Sequence, residues 1–178
     1  MKTVIGIVSI CALLFTGCKK SDKAIYSGTI TIDNVLYGTG PYYAKGFSVP
    51  SGTLVSTLNN PLDVMTILED HDVDFNVRKL YFSTSNYKNS FALYGSYNNE
   101  SEAIQAFRNL KDFIVPTFSE LADDIKPYQV WLYKTSAGYF AKIRVIGTLT
   151  EKRDNMVFPY AECTFEWVYQ PDGSTTFP

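Results

Sequence analysis

The sequence predicts a β-dominated α+β fold, in which antiparallel sheets carry two short helices inserted between strands. Three observations lead to this prediction. Apolar and polar residues alternate with a period of two over long runs near the C-terminus, which is typical of strands with one buried face. Aromatic residues make up 15% of the chain, and such side chains suit a pleated, half-buried surface. Helical spacing of apolar residues is confined to one region, residues 99–125.

Three consecutive strands are predicted between residues 128 and 169. Residues 128–133 are rich in aromatic and branched side chains, and Ser136-Ala137-Gly138 offers a turn after them. Two alternating runs, residues 139–150 and 161–169, flank a polar segment that suits a hairpin loop. We expect one face of this hairpin to be buried and the other, with basic residues on one strand and acidic residues on the next, to point outward. The apolar face comprises Ala141, Ile143, Val145, Ala161, Cys163, Phe165, Trp167 and Tyr169, and the outward face Lys142, Arg144, Glu162, Thr164 and Glu166.

The N-terminal half of the domain contains shorter strand signals separated by turn residues. The strands at residues 42–49 and 53–58 are expected to form a hairpin around Pro50-Ser51-Gly52. Pro171-Asp172-Gly173 predicts a tight turn, because proline fixes φ and glycine accepts a positive φ, and the C-terminus is expected to fold back after it as a short edge strand. The strands are expected at residues 25–33, 42–49, 53–58, 63–69, 80–83, 90–97 and 175–177.

Both helices are predicted from capping-box patterns followed by apolar residues at helical spacing. Asn99 with Glu102 precedes the first helix, and Thr117 with Glu120 precedes the second. Pro116 separates the two. The apolar stripes are expected to pack on the sheet; they comprise Ala103, Ile104, Phe107, Leu110 and Ile114 in the first helix, and Phe118, Leu121, Ala122 and Ile125 in the second.

The N-terminus has the pattern of a bacterial lipoprotein leader. An apolar run at residues 3–15 is shorter than the roughly 20 residues that span a bilayer, and it suits the core of a signal peptide. It ends in Leu14-Phe15-Thr16-Gly17-Cys18, which resembles a lipobox, with Phe15 in place of the commoner leucine. The resemblance implies cleavage before Cys18 and lipidation of Cys18. The alternative interpretation is a plain secretory signal with a chance cysteine.

Three segments are therefore expected: a signal peptide at residues 1–17, a lipidated tether at 18–24, and a single β-rich domain at 25–178. The polar tether would hold the domain at a membrane through its lipid anchor. Lys19 takes the place of the aspartate associated with inner-membrane retention, and this comparison favours the outer membrane. The side of the membrane that the domain faces stays open.

The residue inventory favours a binding function over catalysis. The chain has one histidine, so multi-histidine zinc sites are excluded and a Ser-His-Asp triad would depend on His71 alone. A G-x-S-x-G elbow and a phosphate-binding loop are both missing from the sequence. We therefore expect no catalytic residues. The net charge of −2 gives no argument for a nucleic-acid partner.

Two further features have simple structural interpretations. Residues 70–74 are Asp-His-Asp-Val-Asp, which mimics the start of a calcium loop. The sixth position is Phe75 where an EF-hand has glycine, and the twelfth is Tyr81 where it has glutamate, so a solvated loop is expected rather than a metal site, and calcium binding is the alternative. Once Cys11 is removed and Cys18 is lipidated, Cys163 is left without a partner. It is expected to be a buried structural thiol.

Residues 138–145 (GYFAKIRV) and 165–174 (FEWVYQPDGS) resemble the C-terminal hairpin of HmuY-like envelope lipoproteins. The lipobox, the strand-turn-strand near Gly46-Phe47-Ser48 and Asp74-Phe75 before a strand resemble this family as well. The resemblance implies a β-rich envelope protein that captures haem or a related porphyrin, commonly through paired histidines or methionines on the iron.

The side chains left after processing that could ligate haem iron are His71, Met65 and Met156. No paired ligand set matches the family pattern, so the cofactor stays unknown and weak or absent haem binding is expected at neutral pH. We expect a membrane-anchored, non-enzymatic binding lipoprotein that captures haem, a porphyrin or another hydrophobic ligand. The alternative is a structural or protein-interaction surface lipoprotein, such as an accessory subunit or an adhesin-like module with an outer-membrane protein partner.

Overall fold

A computed structural model describes residues 26–85 and 89–178. Within these ranges the fold is β-dominated with antiparallel sheets, as the sequence predicted. The elements in chain order are β1 (Ser27–Asp33), β2 (Leu36–Tyr37), β3 (Tyr43–Ser48), β4 (Thr53–Ser56), β5 (Val64–His71), β6 (Val77–Thr84), β7 (Phe91–Ser96), α1 (Glu100–Asn109), β8 (Gln129–Lys134), β9 (Phe140–Glu151) and β10 (Tyr160–Gln170). The predicted signal peptide, Cys18 and the tether lie outside the described residues.

The first sheet has the strand order β1-β10-β9-β8-β7, and all its pairs are antiparallel. Its centre is the predicted C-terminal hairpin, in which Trp167 pairs with Ile143 and Glu166 with Arg144. The expected opposite charges do meet, because Arg144 Nε donates to Glu166 Oε2 at 2.9 Å. The register shifts between Thr164 and Phe165, where a bulge bends the long hairpin.

The second sheet has the order β2-β3-β5-β6, with β4 added beside β3. The predicted hairpin around Pro50-Ser51-Gly52 is confirmed: β3 and β4 pair antiparallel, with Ser48 opposite Thr53. Gly52 has a φ of 66°, which explains why the turn needs glycine. β5 and β6 form a second hairpin in this sheet, and its loop closes at residues 72–76.

The two sheets face each other across the larger core. The predicted apolar face of β9 and β10 lies here, and it packs on Phe47, Met65, Ile67 and Phe82 of the second sheet. Aromatic rings dominate the contact: the ring centroids of Phe47 and Trp167 are 5.0 Å apart. Cys163 is buried and free, as expected. Burial raises the pKa of the Cys163 thiol, because an apolar surrounding disfavours the thiolate.

The opposite face of the first sheet is not open to solvent, which corrects the sequence prediction for two basic residues. Lys142 and Arg144 do point away from the larger core, but they are 2% and 6% exposed. Helix α1 and the C-terminus cover them and form a second core with β8 and β9. This core contains Ala92, Phe107, Leu110, Phe118, Val130, Leu132, Phe140 and Phe177. Strand alternation tells the two faces apart but does not say which one stays uncovered.

Lys142 closes the C-terminal end of α1. Its Nζ donates to the carbonyl oxygen of Phe107 at 2.9 Å and to that of Leu110 at 2.8 Å. The last carbonyls of a helix lack partners within the helix, and a cation there also interacts favourably with the helix dipole. Burial lowers the pKa of Lys142 to about 8, with Lys111 adding to the shift and Glu166 opposing it.

The first predicted helix is confirmed, with a shorter extent. Asn99 is its N-cap, where Asn99 Oδ1 accepts from the Glu102 amide at 3.0 Å. The Glu102 carboxylate reaches back to accept from the Asn98 amide at 3.2 Å and from the Asn99 side chain at 2.9 Å, one residue earlier on the backbone than in a standard capping box. The helix ends at Asn109, and Ile114, which was predicted to extend its apolar stripe, is 95% exposed.

The prediction of a second helix is wrong. Residues 117–125 run extended across the edges of β6 and β7 and hydrogen bond to both. Ser119 exchanges backbone hydrogen bonds with Phe91, and Ala122 exchanges them with Phe82. Asp124 has a φ of 58°, which a helix does not allow. α1 is thus the one helix among the described residues.

The predicted edge strand at residues 175–177 is also absent from the described residues. Thr176 instead makes an isolated antiparallel bridge with Asp112, and the Phe177 amide donates to the Lys111 carbonyl at 2.7 Å. This contact seats Phe177 in the second core. No helix in the described part of the chain combines the length and apolar character that a membrane crossing requires.

Candidate functional site

The candidate site lies where two hairpin loops meet at one end of the sheets. His71 is the last residue of β5, and the loop at 72–76 follows it. The loop at 152–159 connects β9 and β10 and runs beside the first loop, because Lys152 Nζ donates to the carbonyl oxygen of Asp74. This contact joins the loop of one sheet to that of the other. Sequence reasoning alone did not predict that the two loops meet.

Apolar and aromatic side chains cluster between these loops. We define the end cluster as His71, Phe75, Met156, Val157 and Phe158. The His71 ring stacks on Phe75, with centroids 5.3 Å apart and an interplanar angle of 15°, and tilts against Phe158 at 5.8 Å. Phe75, Met156, Val157 and Phe158, together with Lys152, Arg153 and Pro159, line a depression of about 190 Å³. Val157 is 78% exposed and Phe158 is 50% exposed, so the apolar surface faces solvent.

A carboxylate orients the His71 ring. Glu69 Oε2 lies 2.7 Å from His71 Nδ1, and the Glu69 side chain is only 9% exposed. A carboxylate is an acceptor, so this contact fits a ring that carries its proton on Nδ1. His71 Nε2 makes no hydrogen bond with a described residue, and in that tautomer it keeps a lone pair. A histidine held in this way by an acceptor is a common arrangement in metal ligation.

In the acidic loop that follows His71, the Asp72 carboxylate stabilises the turn of the loop. Asp72 Oδ1 accepts from the amides of Asp74 and Asn76, each at 2.9 Å, and the Asn76 side chain donates to the same carboxylate. These hydrogen bonds hold the pKa of Asp72 below its usual range. Within residues 26–85 and 89–178, no group of three or more His, Cys, Asp and Glu side chains is arranged to hold a metal ion.

The structure brings together two of the three side chains proposed as haem ligands. His71 contacts Phe75 and Phe158, and Met156 lines the depression with the same two rings. Met65 is elsewhere: it lies on β5 between the sheets and is 0% exposed. Cys18, the predicted lipidation residue, lies outside the described residues.

Sequence reasoning missed Glu69, Phe75, Lys152 and Phe158 as parts of this site. One signal was present. Met156-Val157-Phe158 is a run of three apolar residues in a loop between two strands, where polar residues are usual. Lys152 and Phe75 carry no comparable signal, because they belong to different loops and meet only after the sheets have packed.

No known protein-family model matches the chain, and the comparison with curated protein sequences finds no significant match. The similarity to HmuY-like lipoproteins therefore stays a prediction from the sequence.

Proposed function

We propose that this protein is a lipid-anchored, non-enzymatic binding protein of the bacterial outer membrane, and that the end cluster captures a flat hydrophobic ligand such as a porphyrin. The observation that carries the proposal is the contact of the His71 ring with two exposed aromatic rings, stacked on Phe75 and tilted against Phe158. Aromatic faces bind flat apolar molecules by offset stacking, worth about 0.5–1.5 kcal/mol per pair beyond the buried area. The lipobox at Cys18 and the resemblance to HmuY-like proteins point to the same class of protein.

The rim of the end cluster supports a ligand that also carries negative charge. Lys152 and Arg153 line the depression beside the apolar side chains. Arg153 is already paired with Glu151, whereas Lys152 contacts a neutral carbonyl oxygen. Lys152 can therefore pair with an added carboxylate, such as a porphyrin propionate. An exposed pair of this kind contributes about 0–1 kcal/mol, so it orients the ligand more than it holds it.

The donor set supports weak haem binding. Strong haem sites use one or two good axial donors, and the end cluster offers His71 and the partly buried Met156. Glu69 holds the imidazole ring, which favours ligation through Nε2. The depression of about 190 Å³ is smaller than the roughly 300–1,000 Å³ of ordinary ligand pockets, so much of a porphyrin would stay in solvent.

Haemin titration of the chain from residue 19 onward tests this proposal. We expect a weak, saturable Soret shift at neutral pH that His71→Ala reduces most, because this change removes both the ligand and a stacked ring. Phe158→Ala should weaken binding of haemin and of metal-free protoporphyrin alike, since both depend on stacking. Met156→Leu keeps the volume of the side chain and should alter only the haemin spectrum.

Met65→Leu is the matched control for these variants. It makes the same chemical change as Met156→Leu at a buried position between the sheets, so it should leave the titration unchanged. A sharp, stoichiometric six-coordinate spectrum that survives the loss of His71 and Met156 would contradict this account of the ligands. Absence of binding by both haemin and protoporphyrin would contradict the proposed ligand class.

The second candidate function is protein interaction, and the exposure of the same apolar surface favours it. Val73 is 91% exposed beside the end cluster, and Val157 is 78% exposed within it. Exposed apolar patches on soluble domains commonly mark interaction sites. Copurification of the lipidated protein with an outer-membrane partner, lost on Val157→Asp and kept on Met65→Leu, would support this function over ligand capture.

A further inference from the structure

A second concave site, which we call the lateral cleft, lies on the outer side of the second sheet. It encloses about 350 Å³, within the roughly 300–1,000 Å³ of ordinary ligand pockets. None of the residues that line it lines the depression of the end cluster. Thr66, at the cleft, and His71, in the end cluster, are five residues apart on β5, which is roughly 17 Å at about 3.3 Å per residue. The lateral cleft is therefore a separate site.

Neutral polar side chains form the floor of the lateral cleft. Thr66 and Ser83 stand directly opposite each other on β5 and β6. Ser83 is 4% exposed, and neither hydroxyl makes a side-chain hydrogen bond with a described residue. Ser83 lines the cleft, so an incoming group can reach its hydroxyl and hydrogen bond to it. The floor thus presents two adjacent hydroxyls that can each donate and accept.

The walls of the cleft add an aromatic face and an amide. Tyr42 is 68% exposed, and its neighbour Tyr43 is held by stacking on Tyr37 at 6.1 Å between centroids. Asn60 also lines a wall of the cleft, in a left-handed conformation with a φ of 49°, and its side chain makes no hydrogen bond with a described residue. Thr57 fixes this wall in place, because its hydroxyl both accepts from the Ala44 amide and donates to the Ala44 carbonyl.

We propose that the lateral cleft binds a neutral saccharide. Sugars present hydroxyl groups along their edges and C–H groups on their faces, and the cleft offers matching partners: hydroxyls and an amide for the edges, and an exposed tyrosine ring for a face. Its described lining contains no Asp, Glu, Lys or Arg side chain. A charged ligand would find no counter-ion there, whereas a neutral polyhydroxylated ligand needs none. This proposal rests on a different observation from the proposed porphyrin site and can fail independently of it.

Affinity electrophoresis of the chain from residue 19 onward tests the proposal, in native gels that contain mannan, laminarin, glycogen or galactan. Polygalacturonate serves as an acidic comparison. We expect at least one of the four neutral polymers to retard the protein. Tyr42→Ala should weaken this binding about tenfold through loss of the stacked face, and Ser83→Ala should weaken it through loss of a buried hydrogen bond. Tyr94→Ala is the matched control, because Tyr94 is a comparably exposed tyrosine, at 46%, on β7 of the other sheet.

Circular dichroism of each variant before electrophoresis separates loss of binding from loss of the fold. Retardation by a neutral polymer that Tyr42→Ala and Ser83→Ala reduce and Tyr94→Ala leaves intact would support the lateral cleft as a saccharide site. Mobility unchanged in all four neutral polymers would overturn the proposal. Retardation by polygalacturonate alone, or retardation that Tyr42→Ala leaves intact, would overturn it too. His71→Ala should have no effect here, so the haemin titration and this experiment distinguish the two sites.

Discussion

Replacing Lys142 with methionine measures how a buried cation affects the stability of this fold. The Lys142 side chain lies beneath α1, and its hydrogen-bond partners are two neutral carbonyl oxygens. Burial lowers the pKa of Lys142 from 10.5 to about 8. Lys142→Met removes the titrating group and keeps most of the side-chain volume. It also leaves the carbonyls of Phe107 and Leu110 without this donor, so the absolute change in stability at one pH combines opposing effects. The pH dependence of the stability difference between the two proteins isolates the effect of the charge on Lys142.

The sign and size of this change follow from proton linkage. Between pH 8 and pH 10.5 the unfolded chain keeps the proton on Lys142 while the folded protein releases it. The stability contributed by Lys142 therefore rises with pH across this window. From pH 7 to pH 10 the gain is about 2.5 kcal/mol, since each pH unit between the two pKa values is worth about 1.4 kcal/mol. Burial also raises the pKa of Cys163, and that of Tyr160 to about 12, which lowers stability at high pH. Both effects are present in wild type and in Lys142→Met, so they cancel in the difference in stability between the two proteins.

Urea unfolding at pH 7 and pH 10, followed by the fluorescence of the buried Trp131 and Trp167, provides the measurement. Wild type should gain about 2.5 kcal/mol relative to Lys142→Met between the two pH values. Lys134→Met on the neighbouring strand is the control for replacing a lysine, because the Lys134 side chain is only partly buried, and the wild-type gain relative to Lys142→Met should exceed that relative to Lys134→Met. A wild-type to Lys142→Met difference that stays constant to within about 0.5 kcal/mol would refute the inferred buried charge.

Three further predictions concern other parts of the chain. A thiol reagent should modify Cys163 slowly in the folded protein and rapidly in denaturant, because the thiol is buried; fast labelling of the native state would contradict the strand register. Asp63→Ala should lower stability by about 2–4 kcal/mol in thermal unfolding, because Asp63 accepts from the Ser136 amide and hydroxyl, each at 2.6 Å. Asp63→Asn, which keeps an acceptor and tolerates the φ of 57°, should cost less, and an equal loss would argue against this role. Cys18→Ala should prevent incorporation of labelled fatty acid and release the protein from membranes; wild type that incorporates no label would refute lipidation.

Strand periodicity and the turn residues could be interpreted from the sequence because both are local properties. The alternation through Ala161, Cys163 and Phe165 predicts the buried face of β10 correctly, since each side chain in a strand points to the opposite face from the next. The cap of α1 is local as well: the Asn99 side chain accepts from the Glu102 amide, and the Glu102 carboxylate accepts from the Asn98 amide, all within one turn. The β-dominated fold class therefore required no knowledge of long-range contacts.

The prediction of a second helix was wrong because long-range hydrogen bonds outweighed the local capping-box signal. Thr117 and Glu120 match a capping box, yet Ser119 and Ala122 hydrogen bond to Phe91 and Phe82 in distant strands. A short isolated helix has little stability of its own, whereas these bridges satisfy the backbone and bury Ala122 at the same time. A capping box indicates where a helix can start but does not show that a sheet edge lies beside it.

The same distinction applies to the candidate sites. The sequence determined which chemical groups the chain contains: one histidine, two methionines after residue 18, and many tyrosines. Only the tertiary structure decided that His71 and Met156 share an aromatic cluster while Met65 is buried between the sheets. It also decided that Lys142 lies beneath a helix and that Thr66 and Ser83 form the floor of a cleft. The physical reason is that alternation fixes the face of a strand to which a side chain belongs, whereas burial and proximity depend on which distant segment covers that face.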